Sequence, residues 1–188
     1  VKDFEDYEII GQSVDDAVGE AFDKVGKLLQ LPYPGGPHIE EAAKRGDPAR
    51  FDFPRPMKYS DDLNLSFSGL KTAVLYATKD LNINDERSNI SASFQEAVID
   101  VLSTKIKKAM KQTGNQSLVM AGGVAANKKI RAALDMLEEK EGIKVFYPSI
   151  RHCTDNAAMI AYLGSLKIEG KNIYNCLLYT SDAADDSQ

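Results

Sequence analysis

An α/β protein containing a parallel layer is predicted by three observations. Leu118-Val119-Met120-Ala121 reads as a short buried strand that enters the pair Gly122-Gly123. A helical period follows from about Ala126 to Lys140, and Lys144-Val145-Phe146-Tyr147 is a second strand-like run closed by Pro148. Strand, glycine turn, helix and strand in succession build a parallel layer, because parallel strands need a crossover that a helix supplies.

Taken in order, Tyr7–Gly11 reads as the end of a strand. Ser13-Val14-Asp15-Asp16 offers a capping serine with an acid three residues on, which opens a helix to about Gln30. Val14, Val18, Phe22, Val25 and Leu29 form its apolar stripe. Pro32-Tyr33-Pro34-Gly35-Gly36-Pro37 stops it, and a short helix spans Ile39–Arg45. Between Asp47 and Leu65, three prolines mark an irregular or hairpin insertion. Helices are predicted over Gly69–Leu81 and Ser91–Gln112; in the second, Phe94, Val98, Val101, Leu102 and Ile106 face the core and Gly114 ends the helix. Thr154-Asp155-Asn156 caps a last helix to about Lys167.

The chain has 188 residues, 43% of them hydrophobic, with 23 Lys+Arg against 28 Asp+Glu and two cysteines. That length suits one domain or one large lobe, and the apolar fraction excludes wholesale disorder. No run approaches the ~18 apolar residues of a membrane helix, and two cysteines cannot build a disulfide framework, so a cytoplasmic protein is expected. Residues 176–188 have neither helical period nor strand alternation, resemble translated adapter sequence and are expected to be a non-native tail. They carry three Asp and no basic residue, so without them the net charge of −5 becomes −2 and says little about partners.

Three places could carry chemistry. The Gly122-Gly123 turn, with Asn127 in the first turn of the next helix, has the form of a phosphate cradle: glycine admits close backbone approach, and a helix N-terminus offers unpaired N–H groups. The same turn could be only a tight connection. Pro34-Gly35-Gly36-Pro37 could lay a ligand against bare backbone beside Asp23, which accepts from hydroxyls, or could simply end a helix. Asp155, in Cys153-Thr154-Asp155-Asn156, lies at a strand–helix junction where α/β folds present metal or phosphate ligands, or serves there as a cap. His38, His152 and Cys153 fit no zinc spacing, and adjacent His152 and Cys153 make a poor nucleophilic pair. From Val101 to Arg131 there are seven basic residues and no acid; this run could neutralise RNA phosphates or be a solvated helix face.

Six motifs occur in one order: Asp15-Asp16-Ala17-Val18-Gly19-Glu20-Ala21-Phe22-Asp23-Lys24, Tyr33-Pro34-Gly35-Gly36-Pro37, Phe53-Pro54-Arg55-Pro56-Met57, Ser66-Phe67-Ser68-Gly69-Leu70-Lys71-Thr72, Ala121-Gly122-Gly123-Val124-Ala125-Ala126-Asn127 and Cys153-Thr154-Asp155-Asn156-Ala157-Ala158-Met159-Ile160-Ala161. Together they resemble the tRNA N6-adenosine threonylcarbamoyltransferase family, over about residues 7–170. The resemblance implies an actin-like ATPase and sugar-kinase fold, of which residues 1–175 would form mainly the second of two lobes. It implies transfer of threonylcarbamoyl from threonylcarbamoyl-adenylate to adenosine 37 of tRNAs reading codons that begin with A. By the motifs, Asp23, Gly36, Glu40 and Asn127 fall on substrate-binding positions and Asp155 on a ligand of iron (Fe2+) or another divalent metal, one ion per intact subunit. The implied partners are a paralogous scaffold subunit and a small ATPase.

The family's pair of metal-binding histidines and its Ser-Gly-Gly-His loop have no counterpart in these residues. The first lobe is therefore expected to be missing, and the chain alone to be inactive. A kinase or ATPase of the same fold and a nucleotide-binding scaffold subunit are the alternatives.

Overall fold

The computed structural model describes residues 1, 6–79 and 81–169. It divides into two units, Val1–Cys153 and Thr154–Gln188. The first unit contains α1 (Val18–Leu28), α2 (Gly35–Ala43), α3 (Ser68–Thr78), α4 (Ile83–Thr113), β1 (Ser117–Val119), a 3-10 turn at Gly123–Ala126, α5 (Lys128–Glu141), β2 (Lys144–Phe146) and a second 3-10 turn at Ile150–His152. The second contains α6 (Ala157–Glu169). The expected tail at 176–188 lies outside the described residues.

β1 and β2 pair in parallel, with Leu118 opposite Val145, and α5 is the crossover between them. This is the predicted strand–turn–helix–strand unit, with one correction: β1 is not a buried strand, since Val119 is 70% exposed. Nor do Tyr7–Gly11 form a strand, because no ladder partner reaches them among the described residues. The pairing instead lies further on, as a parallel bridge between Ser13 and Leu65.

That bridge also moves the start of α1. Ser13 does not cap a helix; its hydroxyl donates to the Asp16 carbonyl at 2.7 Å. Asp15 is drawn away to the start of α3, where Ser66, Phe67 and Ser68 all donate to it. With residues 14–16 in a bend, α1 opens at Val18, and the Glu20 carboxylate turns back to accept the Ala17 N–H at 2.9 Å.

α4 is 31 residues long, about 46 Å at 1.5 Å per residue. It starts eight residues before the predicted Ser91, where the Asn82 side chain accepts from the Asn84 N–H, and ends at Gly114 with φ 69°, as expected. The buried core gathers on it: Phe22 and Val25 of α1, Ile39 of α2, Leu70 and Val74 of α3 and Ile130 and Leu134 of α5 pack with Ile90, Phe94, Val98 and Val101. Full burial of each such side chain contributes about 1.5–3 kcal/mol. Phe22 meets Phe94 edge to face at 5.1 Å, the arrangement that suits ring quadrupoles.

Residues 44–67 are irregular, as expected, but well tied down. Arg55 donates to Asp100 at 3.1 Å. Lys105 is 4% exposed, and its ammonium reaches the Ser60 hydroxyl at 2.7 Å and the Asp62 carbonyl at 2.8 Å. No described helix is long and apolar enough to cross a membrane.

Candidate functional site

The Pro34-Gly35-Gly36-Pro37 motif is not a loop. Pro34 caps α2, and the two glycines and Pro37 form its first turn, where a missing proline N–H costs nothing because those donors lack intrahelical partners. One such donor is claimed by α1: Asp23 Oδ1 accepts the Gly35 N–H at 2.7 Å. The helices meet at glycine. A Cβ on Gly35 would fall 2.6 Å from the Phe22 carbonyl oxygen, and one on Gly26 2.8 Å from the Gly35 Cα. Gly36 is different, since a Cβ there would meet nothing within 4 Å. Gly35 is thus required by packing, and Gly36 presents bare backbone to open space beside Asp23. Also on α1, Lys24 pairs with Asp16 at 2.5 Å, and this hydrogen bond raises the lysine pKa above its ordinary value.

The other half of the site is the start of α5. Asn127 is its N-cap, with Oδ1 accepting from Lys129 and Ile130 at 3.0 Å each. The remaining first-turn donor, Lys128 N–H, goes to Glu40 Oε1 of α2 at 2.9 Å. The expected anion seat at this helix N-terminus is therefore corrected: protein oxygens occupy its donors. The turn before it stays open. Gly122 has φ 85°, a conformation that side chains disfavour, and no side chain caps it. A Cβ on Gly122 or Gly123 would meet nothing within 4 Å.

Gln95 of α4, which the sequence reading passed over, completes this corner. It is 5% exposed, and its Oε1 accepts from Asn127 Nδ2 at 2.8 Å. The available signal was a polar residue with Ala92 and Val98 three residues to either side, a spacing that places it among apolar neighbours on the helix. Glu40, Lys44, Gln95, Glu96, Lys128 and Lys129 line a cavity of ≈ 460 Å³ between α2, α4 and α5. Asp23 on α1, Gly36 and Glu40 on α2 and Asn127 at the start of α5 are thus linked through the Asp23–Gly35 and Glu40–Lys128 hydrogen bonds.

Asp155 belongs to the second unit. The cap of α6 is Asn156, whose Oδ1 accepts the Met159 N–H at 3.0 Å, so neither Thr154 nor Asp155 is spent on that bond. Among the described residues no three His, Cys, Asp or Glu side chains converge as a metal would require. One carboxylate does not hold a divalent ion, because affinity comes from several ligands fixed together.

Part of the basic run is engaged within the molecule. Lys105 is buried against Ser60 and Asp62, Lys107 pairs with Glu141, Lys108 donates to the Ser60 and Asp61 carbonyls, and Arg131 donates to Ala125 and Pro148. Four of the seven basic residues thus have partners elsewhere in the chain, which a count of lysines cannot register.

Residues 1–162 match the family model of TsaD, tRNA N6-adenosine threonylcarbamoyltransferase. Curated relatives of that name are similar: 48% identity over 171 residues with the Francisella philomiragia protein, covering 89% of this chain and 51% of the relative, and 47% over 188 with the Neisseria gonorrhoeae protein, covering 89% and 53%. The Chromobacterium violaceum protein is 50% identical over 170 residues, covering 87% of this chain and 50% of its own. The chain spans about half the length of the curated relatives it matches. With the α1–α2 elbow and the Gly-Gly turn in place and most of its length matched, the chain belongs to the tRNA N6-adenosine threonylcarbamoyltransferase family.

Proposed function

We propose that the protein carrying this chain transfers the threonylcarbamoyl group of threonylcarbamoyl-adenylate to N6 of adenosine 37 in tRNAs reading codons that begin with A. The family match over residues 1–162 carries the proposal. In it, the chain supplies mainly the second lobe of an actin-like ATPase fold. The N6 amine attacks the carbamoyl carbon, AMP leaves with the electrons of the broken C–O bond, and N6 gives up a proton.

Each residue has physical work in that reaction. Asp23 spends one oxygen on Gly35 and offers the other to a ribose hydroxyl. Gly36 lets the adenylate lie against backbone. Glu40 borders the cavity beside the nucleoside, and Asn127 gives one Nδ2 hydrogen to Gln95 while an amide has two. The Gly122–Gly123 turn receives the phosphate, whose charge its N–H groups stabilise as the leaving group departs. Asp155 is one candidate ligand for iron or another divalent ion; further ligands would have to come from outside the described residues, and no step is routed through a metal. By the same reasoning the 188 residues alone are expected to be inactive. A paralogous scaffold, a small ATPase and a cytoplasmic location complete the proposal.

The test is the tRNA itself. Disrupting the gene should remove threonylcarbamoyladenosine from digested tRNA, as read by mass spectrometry, and the intact gene should restore it. Unchanged modification in the disrupted strain sinks the proposal.

A further inference from the structure

Arg131 bridges two segments that the motifs treat separately. Its Nε donates to the Ala125 carbonyl at 2.5 Å, inside the turn that follows Gly122-Gly123. Its Nη2 donates to the Pro148 carbonyl at 2.9 Å and to Cys153 Sγ at 3.3 Å. The guanidinium lies over the Tyr147 ring, 4.7 Å from the centroid, and the Tyr147 hydroxyl lies 2.9 Å from Asp135 Oδ1 and 3.2 Å from the Arg131 carbonyl. Cys153 is 3% exposed. The turn itself is closed by the Ala125 N–H donating to the Gly122 carbonyl at 2.9 Å.

A planar guanidinium makes these bonds in a fixed fork and stacks at the same time, which a lysine ammonium cannot do. The Ala125 carbonyl and the Ala125 N–H that closes on Gly122 belong to the two peptides joined at the Ala125 Cα, so anchoring the carbonyl restrains that Cα and the turn that carries the open N–H groups at Gly123 and Val124. We propose that Arg131 is a positioning residue: it fixes the Gly122–Ala126 turn for a phosphate and transmits occupancy of that turn to Cys153. This rests on the reading that the turn receives the adenylate phosphate. A side chain that merely glued loops together would stabilise the fold but would leave Cys153 indifferent to ligand.

The probe is AMP, on protein carrying Cys176→Ser so that Cys153 is the one thiol of this chain. AMP affinity is measured by calorimetry, Cys153 reactivity by maleimide labelling with and without saturating AMP, and folding by thermal denaturation. AMP should slow labelling several-fold in the Arg131 protein. In Arg131→Lys, AMP should bind about tenfold more weakly and the protection should vanish, while the melting temperature moves little. Arg131→Lys with parent-like affinity and parent-like protection overturns the proposal. If that variant fails to fold, the Arg131 protein decides alone: AMP that binds yet leaves labelling unchanged also overturns it. Absence of AMP binding to the Arg131 protein instead overturns the reading of the turn, and the proposal falls with it.

Discussion

Ser68 gives Asp15 both of its donors: the backbone N–H at 3.2 Å and the hydroxyl at 2.6 Å, across 53 residues of sequence. With the Phe67 N–H and Ser66 hydroxyl, this carboxylate caps α3 from outside and binds two of the six motifs together. Partial desolvation pushes its pKa up, but the two serine hydroxyls and two N–H groups outweigh that and hold it well below the usual carboxylate range.

A depressed carboxylate stabilises the fold above its unfolded value of about 4 and loses that contribution as pH falls below it. Asp15→Ala should cost about 0.5–2 kcal/mol at pH 7, as removal of a helix cap does. In urea titrations, the gap between parent and variant should narrow below about pH 4. A gap that is constant with pH would mean the carboxylate charge contributes nothing.

Gly35 and Gly36 should separate structure from ligand. Gly35→Ala places a methyl on backbone atoms of α1 and should destabilise by about 1–3 kcal/mol. Gly36→Ala points into open space and should leave the melting temperature unchanged while weakening AMP binding. Equal stability losses in both would contradict the described contact.

Asn127→Ala should unsettle α5 as well as any ligand, because it removes the cap and leaves Gln95 buried without its donor. About 1–3 kcal/mol of stability should go. Gly123→Val should block AMP with no comparable loss, since its side chain enters open space. Nucleotide affinity unchanged in Gly123→Val would make the turn structural only.

Lys105→Met tests the internal use of the basic run. Losing a buried ammonium that Ser60 and Asp62 depend on should lower the melting temperature and loosen residues 60–62. The salt dependence of tRNA binding should not change. A reduced salt slope would return Lys105 to a phosphate-binding surface.

Local signals were legible in the sequence wherever one residue type decides the geometry. Gly114 ends α4 because a left-handed residue is needed there, and Gly122, at φ 85°, turns the chain between β1 and α5. What was not legible was settled by partners far along the chain. Asp15 looks like part of a cap for α1 until Ser66–Ser68 claim it. Residues 83–90 show little apolar stripe, so the first turns of α4 are invisible to periodicity, although Asn82 caps them. At the site, Asp23, Gly36, Glu40 and Asn127 were read from motifs, whereas Gln95 and Arg131 act through contacts that no motif spells out.

Glu40 completes the first turn of α5 across 88 residues of chain. A nascent α5 can close its own hydrogen bonds, but the Lys128 amide has no protein acceptor until α2 has docked. Exchange of that single amide with solvent should then report assembly of the whole first unit rather than local helix fraying. A bond of such separation also adds to contact order, so this end of α5 is expected to mature among the slow events of folding.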